Sequence, residues 1–138
     1  MIAYNDDNGI SVASGARNVI RNNSIYSNDL LGIDLAPGAN ANQAAPVLTS
    51  VQVTAQNIRI TGTLASKPRA KFTIEFFASN PGQSGGRVSL GTKTVTANAA
   101  GQVSFTFVGT LPPNGATAIT ATATNAQNNT SEFSTVAP

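Results

Sequence analysis

Cysteine, histidine and tryptophan are absent from the chain. Without the first two there is no disulfide, no thiolate chemistry, no Cys/His zinc site and no histidine-dependent catalytic relay. Charge is scarce as well: only 10% of residues are Asp, Glu, Lys or Arg, where about a quarter is usual. The surface must therefore be wetted by hydroxyls and amides, a habit of extracellular β proteins. No apolar run approaches the roughly 18 residues that a membrane-spanning helix needs, so no membrane insertion is expected. Met1 leads directly into patterned sequence and no signal peptide opens the chain; a secreted protein of this sequence is expected to be a processed piece or a fragment of a longer one.

The formal net charge of +2 conceals two unlike parts. Residues 1–45 carry Asp6, Asp7, Asp29 and Asp34 against Arg17 and Arg21. The remainder carries Arg59, Lys67, Arg69, Lys71, Arg87 and Lys93 against Glu75 and Glu132. The basic residues are scattered, so nucleic acid is not an expected partner.

What the first part does have is a repeat. Ile2-Ala3-Tyr4-Asn5-Asp6-Asp7-Asn8-Gly9-Ile10-Ser11-Val12 aligns with Ile25-Tyr26-Ser27-Asn28-Asp29-Leu30-Leu31-Gly32-Ile33-Asp34-Leu35, each pair offset by 23 residues. Short alternating strands with Gly or Asn at corners, repeated at this period, predict a β-solenoid in which each copy lays its Ile, Val and Leu on the next. Asn5 is then expected above Asn28, Gly9 above Gly32 and Ile10 above Ile33. Helix is excluded here, because Asn, Gly, Ser and β-branched residues dominate and no helical period persists.

Small residues bracketed by Pro37 and Pro46 read as a linker over 37–46, separating a solenoid part at 1–36 from a second part at 47–138. From Val47 the pattern becomes separate strands, expected at 47–54, 57–64, 70–78, 88–96, 102–108, 117–125 and 131–136. Phe72, Ile74 and Phe76 share a face, as do Val103, Phe105 and Phe107, and Ile119, Ala121 and Ala123. Turn chemistry separates them at Ser66-Lys67-Pro68, Asn80-Pro81-Gly82, Ala100-Gly101, Pro112-Pro113-Asn114-Gly115 and Asn125-Ala126-Gln127-Asn128. The expected fold class is all-β: a short right-handed parallel β-helix stub followed by a seven-stranded Ig-like β-sandwich.

Residues 18–35, Pro46-Val47-Leu48, Ile60-Thr61-Gly62-Thr63-Leu64, Phe72 to Ser79, Ile119 to Thr124 and Asn129-Thr130-Ser131-Glu132-Phe133-Ser134 together resemble the end of bacterial right-handed parallel β-helix repeat proteins. In that family a last coil is followed by a linker and an Ig-like module. The resemblance covers nearly the whole chain and implies a large secreted or surface-anchored protein, hence an extracellular or cell-surface location.

Several residues invite chemistry. Asp6 and Asp29, stacked on adjacent copies, would offer Ca²⁺ the hard oxygens it needs, although turn propensity alone accounts for Asn-Asp at a corner. No other cofactor is expected. Lys71, Glu75 and the C-terminal Asn residues have the composition of an autocatalytic isopeptide site, but Lys71 is expected in solvent. Tyr4, Tyr26, Phe77 and Phe133 are candidates for an aromatic platform toward polysaccharide, against a plain core role. The loop from Pro81 to Arg87 opens no helix and is no phosphate cradle. No nucleophile–base pair stands out, and an enzyme is not expected.

About two copies cannot bury their own apolar layer, since three or more are usually required. Three resolutions are open: further coils upstream in a longer chain, the second part folding over the open face, or the open end docking onto another copy. On the last, Ile2, Ile10, Val12, Ile25, Ile33 and Leu35 are the expected self-assembly interface of a structural or adhesive surface protein, building a homo-oligomer or head-to-tail filament. The alternative is a carbohydrate-binding or spacer module of a larger β-helix protein acting on polysaccharide.

Overall fold

The computed structural model describes residues 1–112 and 115–138; part of the turn expected at Pro112-Pro113-Asn114-Gly115 lies outside them. The described chain is all-β. Its strands are β1 (Ile2–Ala3), β2 (Ile10–Val12), β3 (Ile25–Tyr26), β4 (Ile33–Leu35), β5 (Val47–Val53), β6 (Asn57–Ala65), β7 (Lys71–Ser79), β8 (Gly85–Gly86), β9 (Val88–Thr96), β10 (Gln102–Thr110) and β11 (Ala118–Asn125).

The six long strands make two antiparallel three-stranded sheets, ordered β10-β6-β5 and β11-β7-β9. Alternation fixes which side of each is buried. Ile58, Ile60 and Leu64 of β6 meet Phe72, Ile74 and Phe76 of β7 and Ile119, Ala121 and Ala123 of β11 in one core. The Phe76 ring stacks on Phe107 at 4.3 Å and meets Phe105 edge-on at 5.7 Å. β5, β6 and β10 keep Thr, Gln and Ser on their outer side. β11 does not: every one of its residues is buried, and on its second face Thr120 meets Gly85 of β8 and Thr124 meets Thr130 of the C-terminal tail.

That N-terminal part is built on the 23-residue repeat. β1 pairs in parallel with β3 as Ile2↔Ile25, and β2 with β4 as Ile10↔Ile33 and Val12↔Leu35. The expected vertical pairs follow: Asn5 Nδ2 donates to Asn28 Oδ1 at 2.8 Å, and Ile10 N–H reaches Gly32 O at 3.0 Å. Corner conformations repeat as well. Tyr4 and Ser27 have φ of 61° and 52°, and Gly15 and Gly38 have 85° and 87°, a region where glycine alone is unstrained.

The repeat runs further than residue 36. Ala13-Ser14-Gly15-Ala16-Arg17 has its counterpart in Ala36-Pro37-Gly38-Ala39-Asn40, and Asn40 N–H donates to Gly15 O at 2.7 Å. Much of the stretch read as linker is thus the second copy's corner, a left-handed turn at Ala39–Asn42 in which Ala39 and Asn40 are buried. The Asn40 amide is saturated. Its Oδ1 accepts from Asn18 N–H and Nδ2, both at 2.9 Å. Its Nδ2 donates to Asn18 O at 2.8 Å and Thr130 O at 2.9 Å.

The segment expected as a seventh strand at 131–136 is no strand. It runs along the free edge of β11 with a three-residue period, Ser131, Ser134 and Ala137 donating backbone N–H to Ala123, Ala121 and Ile119. The Ser131 and Ser134 hydroxyls accept the N–H of Ala123 and Ala121, both at 3.0 Å. Two side chains do here what a ladder would have done with backbone carbonyls, which is why strand-like residues form no regular strand.

Asn40→Ala removes four hydrogen bonds, strands the buried carbonyl of Thr130 and places Ala at a left-handed φ. It is expected to destabilise the fold by about 3 kcal/mol, read as a lower urea midpoint at unchanged slope. A change under about 1 kcal/mol would show that Asn40 is not a keystone.

Candidate functional site

The two ends of the paired repeat are built differently, and the difference defines the site. The second copy is covered at β3 and in part at β4, which like β2 ends its two-stranded sheet. β3 carries β1 on one side and the short strand β8 on the other, as Ile25↔Gly86 and Tyr26↔Gly85. Gly85 is required there: its φ is 87°, and a Cβ would stand 2.6 Å from Ile25 O. The Phe133 ring lies on Gly32, where a Cβ would come within 2.8 Å of it, and it joins Ile20, Ile25 and Ile33 in a second apolar cluster. Beyond β4, the Leu35 N–H is taken by Glu132 Oε1 at 2.9 Å. Glu75, only 1% exposed, accepts from Asn22 N–H and from the Ser89 hydroxyl, both at 3.2 Å. Gln83 Nε2 donates to Ser27 Oγ at 2.7 Å.

The first copy has no such cover. β1 and β2 each end their sheets, partnered on one side only. Ile2, Ile10 and Val12 are half-buried, and Val19 beside them is 54% exposed. Ile10, Val12, Val19 and Ile20 line a shallow depression with Arg17 and Asn18 at its rim. An unpaired strand edge bordered by aliphatic side chains is an acceptor for another strand.

The six residues expected to form one interface therefore divide. Ile2, Ile10 and Val12 stand at the free edge, whereas Ile25 and Ile33 are 1% and 2% exposed inside the molecule and Leu35 is half-covered. Asp6 and Asp29 are both exposed at corners. The neighbouring Asp7 carboxylate caps the N–H of Asn8 at 2.7 Å, and Asp34 accepts from Asn8 Nδ2 at 3.2 Å. Among the described residues, no three acidic groups come together in a way that could hold a metal ion.

The isopeptide residues are likewise separated in role, Lys71 lying exposed at the strand end while Glu75 is committed to Asn22 and Ser89. The aromatic quartet splits into two pairs. Phe77 and Phe133 meet edge-on at 5.3 Å between the repeat and the sandwich-like layers; Tyr4 and Tyr26 meet at 5.8 Å nearer the surface.

Sequence reasoning missed the groups that seal the second copy. The lone acid in Phe72-Thr73-Ile74-Glu75-Phe76-Phe77 was a usable signal, since a carboxylate among apolar strand residues needs partners. Gly85-Gly86 gave no strand signal at all, because glycine is depleted from strands and only the close approach to Ile25 selects it here.

Phe133→Ala is expected to cost about 2 kcal/mol and to loosen one end selectively. Hydrogen exchange should speed at Ile25, Tyr26 and Ile33 while Ile60 and Ile74 keep their protection. Equal loss in both regions would mean that Phe133 supports the whole molecule and does not seal the repeat. No protein-family model matches the chain, and no curated protein matches it.

Proposed function

We propose that this chain is the end unit of an extracellular right-handed parallel β-helix, in which an Ig-like sandwich caps the last coil. Its role is structural and non-enzymatic, and the free edge of the first coil is its working interface. The single observation that carries this reading is the asymmetry of the repeat. β3 lies between β1 and β8, and β4, itself a sheet edge, has its Leu35 N–H taken by Glu132, while β1 and β2 have a partner on one side only.

A parallel edge of this kind presents unpaired N–H and C=O groups together with a slice of apolar core, and both are satisfied by one more coil in the same register. The incoming strand could belong to a longer chain, to another copy of this one, or to a surface partner. A head-to-tail filament would need a second free coil face. That face is occupied by β8 at β3, by the Phe133 ring and by Glu132 at the Leu35 N–H, so this geometry favours one partner per chain, and among copies of the chain a two-fold pair over an open fibre. The groups that could carry catalysis have bonding roles: Glu75 and Glu132 hold the junction, and Asp34 holds Asn8.

Light scattering over a concentration series, followed by negative-stain electron microscopy, tests the interface. Concentration-dependent oligomers are expected, and Ile10→Lys, at a half-exposed edge position, should return them to monomer without changing the circular dichroism spectrum. A monomer at every concentration, or oligomers indifferent to the lysine, would remove the free edge as an interface.

A further inference from the structure

A second surface feature is untouched by that reading and requires nothing of the free edge. Tyr4 is 73% exposed although its φ is 61°, a conformation that costs a non-glycine residue roughly 1 kcal/mol. Its counterpart in the second copy is Ser27, with φ 52°. The corner therefore demands the left-handed backbone and not a ring, and the ring contributes no buried core. Strain spent on an exposed aromatic is a reason to look for a ligand.

What surrounds the ring is ordered. Tyr4 meets Tyr26 edge-on at 5.8 Å with an interplanar angle of 76°. Tyr26 is 8% exposed and its hydroxyl is 3.1 Å from the Met1 sulfur. The Arg87 guanidinium lies over the Tyr26 ring, 5.1 Å from its centre. The backbone of Arg87 is held on both sides: its N–H donates to Ser79 Oγ at 3.1 Å and its O accepts from Ser24 Oγ at 2.6 Å. The cation is thus positioned before any ligand arrives, its planar fork stacked on one aromatic while a second presents its surface to water. Next to Tyr4, the Asn5 and Asn28 amides form a pair, suited to hydroxyl groups.

We propose that Tyr4 and Arg87, joined through Tyr26, bind a carboxylate-bearing sugar of an acidic polysaccharide. The C–H face of the sugar ring lies on Tyr4, and its carboxylate takes the bidentate fork of Arg87. A neutral sugar would leave the fork unused.

Isothermal titration with tetragalacturonate, and with cellotetraose as the neutral control, tests this. Saturable binding of the acidic oligomer in the millimolar range or tighter is expected, with little of the neutral one. Tyr4→Asn keeps the left-handed preference and removes the ring; it should weaken binding about tenfold. Arg87→Gln should abolish the preference for the acidic oligomer, and Arg87→Lys should restore it only in part. All three should stay folded with circular dichroism spectra like the parent's, since neither side chain belongs to the buried core. Absence of saturable tetragalacturonate binding, equal affinity for both oligomers, or binding unaltered by Tyr4→Asn and Arg87→Gln would each overturn the proposal.

Discussion

A stack of parallel strands ends badly unless something covers it. Its last layer exposes a row of N–H and C=O groups and a cross-section of apolar core at the same place. The second copy of the repeat meets both demands with different devices. Backbone is met by backbone through Gly85-Gly86, apolar surface by the Phe133 ring, and a remaining donor on Leu35 by the Glu132 carboxylate. Each device comes from a distant part of the chain, so the repeat cannot be completed before the β7–β9 loop and the tail are in position. The same loop and tail also close off β11, and the two halves share one boundary layer.

That layer is cemented mostly by polar groups. Thr120 donates to Gly85 O at 2.6 Å, Thr124 and Thr130 share a hydroxyl–hydroxyl contact at 2.9 Å, and Asn125 donates to Gln43 Oε1 at 3.0 Å. Buried amides and hydroxyls contribute modestly when paired, but each costs roughly 1–3 kcal/mol when left unpaired. The result is specificity of position more than gross stability. One register lets Asn40, Glu75 and Thr130 all find partners; a slipped one strands several of them. A purely apolar boundary would tolerate sliding. Among the described residues, Thr122 Oγ1 and Gln83 Oε1 are the exceptions, buried with no hydrogen-bond partner.

Much of this was legible in the residues. The offset of 23 was visible in Ile-x-x-Asn-Asp and reappears unchanged as the strand register, because stacking like on like is what a repeat of that length can do. The six long strands were readable from alternation, since each of them has one apolar face. Two features failed for opposite reasons. The corner at Gly38-Ala39-Asn40 repeats Gly15-Ala16-Arg17 openly, yet its small residues and prolines also fit a solvated linker, and composition prevailed over periodicity. The tail from Ser131 to Val136 has strand-like residues, but its serine hydroxyls compete with backbone carbonyls for the edge of β11, a choice that local propensity does not encode. The candidate sites fared similarly: the free edge was readable from the count of copies, while the burial of Ile25 and Ile33 depends on Phe133, about 100 residues away in sequence.

A junction without slack has a mechanical consequence. If residues 37–46 were a solvated tether, the two parts would reorient freely, and a pull on one would be absorbed by the tether. Instead Asn40 ties both copies of the repeat to Thr130, and Glu75 holds Asn22 from the centre of the β11-β7-β9 sheet. Force entering at the free edge of β1 and β2 would therefore pass through parallel ladders into β3 and β4, and from β3 across β8 toward the β11-β7-β9 sheet, loading several hydrogen bonds side by side. Bonds loaded together resist better than bonds loaded one after another. The junction is made without disulfides and with few charges, and most of its side-chain pairs are neutral amides and hydroxyls that salt leaves unscreened.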